Sequence, residues 1–515
     1  MPTPGRLSGI LLPLFSLRTA TDFGVGDFGA LPGLFAWMKE ARQRLLMLLP
    51  LLPTAPGDPS PYATRSAVGL NPLFIDLSAL AEWKALGGEA ALSDEERARL
   101  EAARSAPRID YPAVFALKGR AFELAFARFE ETADPARTRA FEAWRTAEDA
   151  WLGNYALFCA LSEEHRHLPW WEWPEPEHDR RPEALAAASE RLAGRVRFHA
   201  WLQWIAAGQW SHVRAAAKRA DLLLCGDEPF IVGQDSVDAW VHPTLLRRDG
   251  RLGVPPDPFS ATGQDWGLPY YDFAAMAADD YAWLRARSRA AARDYDLRRV
   301  DHAVGYFRQF VRDPQHPEGR FIPGDVLEQN ALGEELFRIM SEEAGIVAED
   351  LGVIPPFVRE TLAALGLPGY KVLRWEHAND SFWYDPGKYP AISVACTSTH
   401  DTEPLATWWK SLTPQQQRDV ARSWAGSFAA YPATSSFSPG VHHALLHAAL
   451  ASGSDLCVLP WQDVMGIEDR VNLPGSTGEG NWSWRIAQDA DHLLDDPETA
   501  RAAAQLAALT QDTHR

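Results

Sequence analysis

Three short apolar runs in this chain each stop at an acid, and that pattern constrains the fold more than any other feature. Leu297-Arg298-Arg299-Val300 leads into Asp301 and His302. Gly345-Ile346-Val347-Ala348 leads into Glu349 and Asp350. Ile392-Ser393-Val394-Ala395-Cys396 passes through Thr397-Ser398-Thr399 into His400 and Asp401. Short apolar runs of this kind suit strands buried on both faces, as in a parallel sheet. Acids at the C-terminal ends of successive strands mark the active face of a (β/α)8 barrel.

Eight runs of this form can be counted. They begin near Gly9, Leu46, Leu222, Leu297, Ile346, Tyr370, Ile392 and Leu456. Helical patterns separate them: Leu31 to Arg44, Pro356 to Leu365, Pro414 to Ala430 and Trp484 to Leu509 follow the first, fifth, seventh and eighth. Alternation of strand and helix predicts a parallel sheet, and eight strands close it into an α/β (β/α)8 TIM barrel. The spacing is uneven. Residues 53–220, between strands two and three, are far too many for a loop and require structure of their own. Pro112 to Glu131, Ala136 to His165 and Arg181 to Ala220 carry helical periodicity, so a helical insertion subdomain is expected there. A smaller insertion, 226–296, separates strands three and four and contains the Pro-rich loop Gly253 to Phe259. The whole of 1–515 then reads as one catalytic barrel with these two insertions.

The formal net charge of −19 argues against nucleic acid as a partner, because such binding rests on Lys and Arg neutralising phosphates. The longest apolar run, Leu45 to Leu52, falls well short of the ~20 residues of a membrane span. Ile10 to Phe15 is too short for a signal-peptide core and contains Pro13. Cys159, Cys225, Cys396 and Cys457 form no CxxC pair, and most of them sit in apolar runs. A cytoplasmic protein with a neutral ligand is the expectation. Indole faces suit the C–H faces of sugar rings, although most of the 21 Trp are expected in the core.

On a barrel, Asp301, Glu349 and Asp401 meet at one rim. Cleaving a glycosidic bond needs one carboxylate at the anomeric carbon and one protonated acid at the leaving oxygen. Arg299, two residues before Asp301, points to the same side of its strand and would keep that acid ionised. Glu349 needs the opposite environment, with a raised pKa. His302 and His400 offer donors for sugar hydroxyls.

These residues lie in a series of motifs. Ser60-Pro61-Tyr62, Gly69-Leu70-Asn71-Pro72-Leu73, Gly226-Asp227-Glu228-Pro229-Phe230 and Gln234-Asp235-Ser236 come first. Gly253-Val254-Pro255-Pro256-Asp257, Gly263-Gln264-Asp265-Trp266-Gly267 and Arg299-Val300-Asp301-His302 follow. Ala348-Glu349-Asp350-Leu351-Gly352, Thr399-His400-Asp401, Arg470-Val471-Asn472-Leu473-Pro474 and Gly480-Asn481-Trp482-Ser483-Trp484-Arg485 complete the series. In this order the chain resembles the 4-α-glucanotransferases of glycoside hydrolase family 77, the amylomaltases or disproportionating enzymes, over nearly its whole length.

The resemblance implies that Asp301 is the nucleophile, Glu349 the general acid/base and Asp401 the transition-state stabiliser. It implies that Ser60, Tyr62, Asp235, Trp266, Arg299, His302, His400 and Asn472 bind sugar. The implied reaction is retaining, from an α-1,4-glucan donor to a glucose or glucan acceptor, with no metal or organic cofactor. A hydrolase of the α-amylase type shares the acid trio, and an inactive glucan-binding protein is a further alternative. The chain carries Pro258 where many relatives have a bulky residue, Thr402-Glu403-Pro404 where some have Asn-Asp-Thr, and Leu12-Pro13-Leu14-Phe15-Ser16-Leu17 in place of the first-strand form common in the family. His443 and His447 lie one helical turn apart without Glu or Cys partners, so a metal site is not expected there.

Overall fold

A computed structural model describes residues 5–132, 134–256, 263–379, 382–430, 436–476 and 480–515. All eight expected strands form. They are β1 (Leu7–Leu11), β2 (Leu45–Met47), β3 (Leu223–Glu228), β4 (Leu297–Val300), β5 (Gly345–Ala348), β6 (Gly369–Val372), β7 (Ser393–Cys396) and β8 (Leu456–Pro460). They pair in parallel in chain order, and β8 returns to β1 to close the barrel.

Side-chain alternation along each strand divides the core in two. Leu11, Met47, Cys225, Val347, Tyr370, Val372, Val394, Cys396 and Val458 fill the interior of the barrel. Ile10, Leu46, Leu224, Val300, Ile346, Ala348, Ala395 and Leu459 point outward against the helices. Each Val, Leu, Ile or Met side chain among them contributes on the order of 1.5–3 kcal/mol on burial. Six of the tryptophans, Trp37, Trp201, Trp210, Trp240, Trp409 and Trp461, are among the largest fully buried side chains.

Between β2 and β3 lie the helices Tyr111–Thr132, Pro135–Ala147, Asp149–Glu164, Pro182–Arg191 and Ala193–Arg219. The first is tied down by a fully buried lysine. Lys118 Nζ donates to the carbonyls of Leu73 and Ile75 (2.5 and 2.8 Å) and lies 3.7 Å from the Asp27 carboxylate. Trp170–Glu172 makes only a short 3-10 turn, as its flanking prolines require.

Two features differ from the sequence reading. A four-stranded antiparallel sheet, ordered Gln264–Tyr271, Leu246–Val254, Gln309–Asp313 and His316–Ile322, draws half its strands from before β4 and half from after it. The expected helix from Trp484 to Leu509 starts only at Pro497. Before it, the backbone N–H of Ile486 bonds Ser16 and that of Ala490 bonds Arg18, both in the segment after β1. Asp496 then caps the helix through Glu498 N and Thr499 N. Asp257, Pro258 and Phe259 of the expected loop lie outside the described residues.

Candidate active site

The register of β3 against β4 builds the centre of the site. Asp227 pairs with Arg299 and Glu228 with Val300 across two parallel strands. Asp227 and Arg299 therefore point into the barrel mouth, while Arg298 points outward, where its Nη1 meets Glu228 at 2.9 Å. Inside, one guanidinium nitrogen of Arg299 serves two acids, Asp227 Oδ1 at 2.7 Å and Asp301 Oδ1 at 2.9 Å. Burial pushes the Asp227 carboxyl up, Arg299 pulls it down and Asp301 pushes it up again, for a net rise.

The same cluster continues to the other side of the barrel. The Tyr62 hydroxyl donates to Asp227 Oδ2 (2.7 Å) and lies 3.0 Å from His400 Nε2. Because the Tyr62 hydroxyl spends its proton on the hydrogen bond to Asp227, its oxygen accepts from Nε2–H of His400. His400 Nε2 also stands 3.3 Å from Asp401 Oδ2, and its ring stacks on Tyr62. Asn472 Nδ2 donates to Asp401 Oδ1 at 2.7 Å, and Arg470 donates to the Asp401 carbonyl, also at 2.7 Å. Burial pushes the Asp401 carboxyl up, but the His400 imidazole and the Asn472 amide outweigh it and hold the group at about 2. Asp401 is ionised at any ordinary pH.

Glu349 has the opposite environment. Its Oε2 accepts from the backbone N–H of His302 (2.8 Å) and its Oε1 from that of Leu351 (3.2 Å). Burial dominates, Arg299 opposes it and Asp301 reinforces it, and the carboxyl is pushed up to about 8. Near neutrality Glu349 holds a proton. His302 presents its N–H from a left-handed conformation, φ 46°. Its ring meets Trp266 edge to face at 4.8 Å, and burial pushes the imidazole down to about 4, so it is neutral.

The structure thus joins Tyr62, Arg299, Asp301, His400, Asp401 and Asn472 in one polar chain. It joins Glu349, His302 and Trp266 in a second. Two expected residues bond neither. Asp235 Oδ2 accepts from Arg65 Nη2 (2.9 Å) and its Oδ1 from Trp170 N (3.2 Å), while Ser60 closes a turn through Ala63 N. Sequence reasoning passed over Asp227, although an acid in register with an inward arginine was the available signal.

Among the described residues, Glu164, His165 and Glu177 could approach a cation together, their ligand atoms lying within 4.8 Å of one another. Arg191 Nη2 already bonds Glu164 (2.7 Å) and Glu177 (2.9 Å), so the positive charge there is a guanidinium. His447 bonds Ser427 through Nδ1. Among the described residues no helix is long and apolar enough to cross a membrane.

Barrel enzymes that open glycosidic bonds collect carboxyl groups at this rim in this way, and comparison with known proteins narrows the class. The model of glycoside hydrolase family 77, described as 4-alpha-glucanotransferase, matches residues 12–490. A 4-alpha-glucanotransferase of Thermus thermophilus is 36% identical over 530 residues, covering 99% of both chains. One from Synechocystis sp. is 34% identical over 94% of both. A solved amylomaltase from Streptococcus agalactiae, in complex with acarbose, superposes with a TM-score of 0.84 at 27% identity, covering 99% of each chain. The chain belongs to the 4-alpha-glucanotransferase family, glycoside hydrolase family 77.

Proposed function

We propose that the chain moves α-1,4-glucan segments from a maltodextrin donor to the 4-hydroxyl of a glucose or glucan acceptor by a retaining double displacement. The observation that carries this reading is the pair at the ends of β4 and β5. Asp301 is held by Arg299, and Glu349 keeps its proton up to about pH 8. Asp301 attacks the anomeric carbon while Glu349 protonates the leaving oxygen, and Glu349 then deprotonates the acceptor hydroxyl that displaces Asp301. Asp401, ionised and fixed by Asn472 and His400, faces the positive charge that develops on the sugar. Arg299, Tyr62, His302, His400 and Asn472 hold the ring at the cleavage point. Asp235, Ser60 and Trp266 bind the sugar with them.

In this reading residues 53–220 form a helical insertion subdomain between β2 and β3, and 226–296 a smaller insertion between β3 and β4. We assign the protein to the cytoplasm, which its four free thiols favour.

The deciding experiment incubates the pure protein with maltotriose and follows both the oligosaccharide ladder and the reducing ends. Transfer spreads chain lengths and releases glucose at a constant number of reducing ends. A rise of one reducing end per bond cut would replace transfer by hydrolysis. An unchanged ladder beside an active control would leave only glucan binding.

A further inference from the structure

The rim loop that carries His400 and Asp401 is gripped at its base from the strands on both sides of β7. From the β8 side comes Asp463, in the short helix Trp461–Met465. Its carboxylate is fully buried. One oxygen, Oδ2, accepts the hydroxyls of both Thr397 and Ser398, and the other accepts Leu405 N–H at 2.6 Å. Asp463 is itself held in place, since its carbonyl meets His442 Nε2 at 2.7 Å. From the β6 side comes the buried Arg374, whose Nε donates to the Thr397 carbonyl (3.3 Å) and whose Nη1 pairs with Glu403 Oε1 (2.9 Å). From each side, therefore, the loop is held both before and after Asp401. Glu403 is one of the gripped residues.

A buried carboxylate is weak evidence for stability, because removing it from water costs about as much as its partners return. Its value here is geometric. Three donors from two ends of one loop converge on a single rigid group, and the loop between them delivers Asp401 to Asn472. An acid that must face a developing charge tolerates little error: a misplacement of ~1 Å can cost about 10²-fold in rate.

We propose that Asp463 is a positioning residue for the reaction, closing the base of the His400–Asp401 loop from the β8 side while Arg374 closes it from the β6 side. This rests on the reading of Asp401 given above. It acts on the transition state through Asp401, so its loss lowers kcat and leaves the KM for maltotriose nearly unchanged.

The test compares Asp463→Asn, Arg374→Gln and the pair T397V/S398A, which keeps Asp463 but removes two of its three donors. Asp401→Asn is assayed in parallel, and rates are expressed per folded enzyme. The T397V/S398A enzyme is expected to lose about tenfold in kcat with KM within about twofold. Thr397→Ser, which restores the hydroxyl, is expected to turn over at the wild-type rate. Asp463→Asn is expected to lose about 10²-fold and Arg374→Gln about tenfold. If Asp463→Asn does not fold, T397V/S398A decides alone. Wild-type kcat in T397V/S398A beside an inactive Asp401→Asn overturns the clamp. So does a raised KM at unchanged kcat. Normal turnover in Asp401→Asn overturns the reading of Asp401, and the clamp with it.

Discussion

The Tyr62 hydroxyl stands 2.7 Å from the Asp227 carboxylate, across 165 positions of chain. The contact brings the segment after β2 to the end of β3. Through its other oxygen, Asp227 is the second carboxylate on Arg299 beside Asp301. Asp227 thus controls how much of the Arg299 charge reaches Asp301. Asp227→Asn is expected to lower kcat/KM by about 10²-fold or more, because it disturbs a buried, hydrogen-bonded charge pair at the reacting centre. Tyr62→Phe, which leaves that charge in place, is expected to cost about tenfold. Steady-state kinetics with maltotriose distinguishes the two, and equal effects would remove Asp227 from its place in the site.

Asp301→Asn, Glu349→Gln and Asp401→Asn should each leave a folded protein with activity lowered at least ~10³-fold, since in the proposed mechanism each removes a group used in the transition state. Circular dichroism checks the fold and the maltotriose ladder checks the rate. Near-normal turnover in one of them would reassign that residue.

The barrel was legible in the sequence because its strands are buried on both faces and read as apolar runs that end where the rim begins. Val300 and Ala348 each precede a rim acid, as Cys396 precedes the loop to Asp401, and all three are buried. The antiparallel sheet was not legible. Leu246–Val254 is rich in Arg and Gly, and His316–Ile322 has no buried position, so no alternation of apolar and polar residues marks them. The helical pattern after Trp484 misled for a different reason. Trp484, Arg485 and Ile486 are buried through contacts with the β1 end of the barrel, as in the bond from Arg485 to Asp22. That burial imitates a helix face without helical hydrogen bonds. The site was legible in its acids and arginine, whose strand positions fix their direction. Asp227 was obscured because its role depends on the pairing of β3 with β4, which no local pattern records.

Lys118 tests how the helical segment is fastened to the barrel. It is fully buried with Asp27 as its ionic neighbour, and burial, opposed by Lys118, pushes the Asp27 carboxyl up to about 8. Lys118→Met keeps the volume but leaves the carbonyls of Leu73 and Ile75 without their donor and Asp27 without its ionic neighbour. A loss of about 3 kcal/mol is expected, read as a lower midpoint in urea. A midpoint within error of the wild type would show that the carbonyls find other partners.

Glu349 ties activity and stability to the same proton. With its carboxyl at about 8, the acid form that the proposed mechanism uses for leaving-group protonation disappears above that pH, so kcat/KM for maltotriose should fall on the alkaline side with a limb near pH 8. Asp401, held at about 2, contributes no limb in the working range. The stability consequence follows from the difference between the folded group and its ordinary value of 4.5. Between pH 4.5 and about 8 the native protein retains a proton that the unfolded chain has released. The native state binds more protons there, so stability falls as pH rises through this window. Asp27 contributes in the same direction, so the slope of the wild type alone cannot be assigned to Glu349. The comparison with Glu349→Gln isolates it, because Asp27 is present in both proteins. The variant should melt above the wild type by a margin that widens from pH 5 to pH 8. A constant margin would mean that Glu349 is already ionised in the folded protein at pH 5, and its part as the acid would be lost.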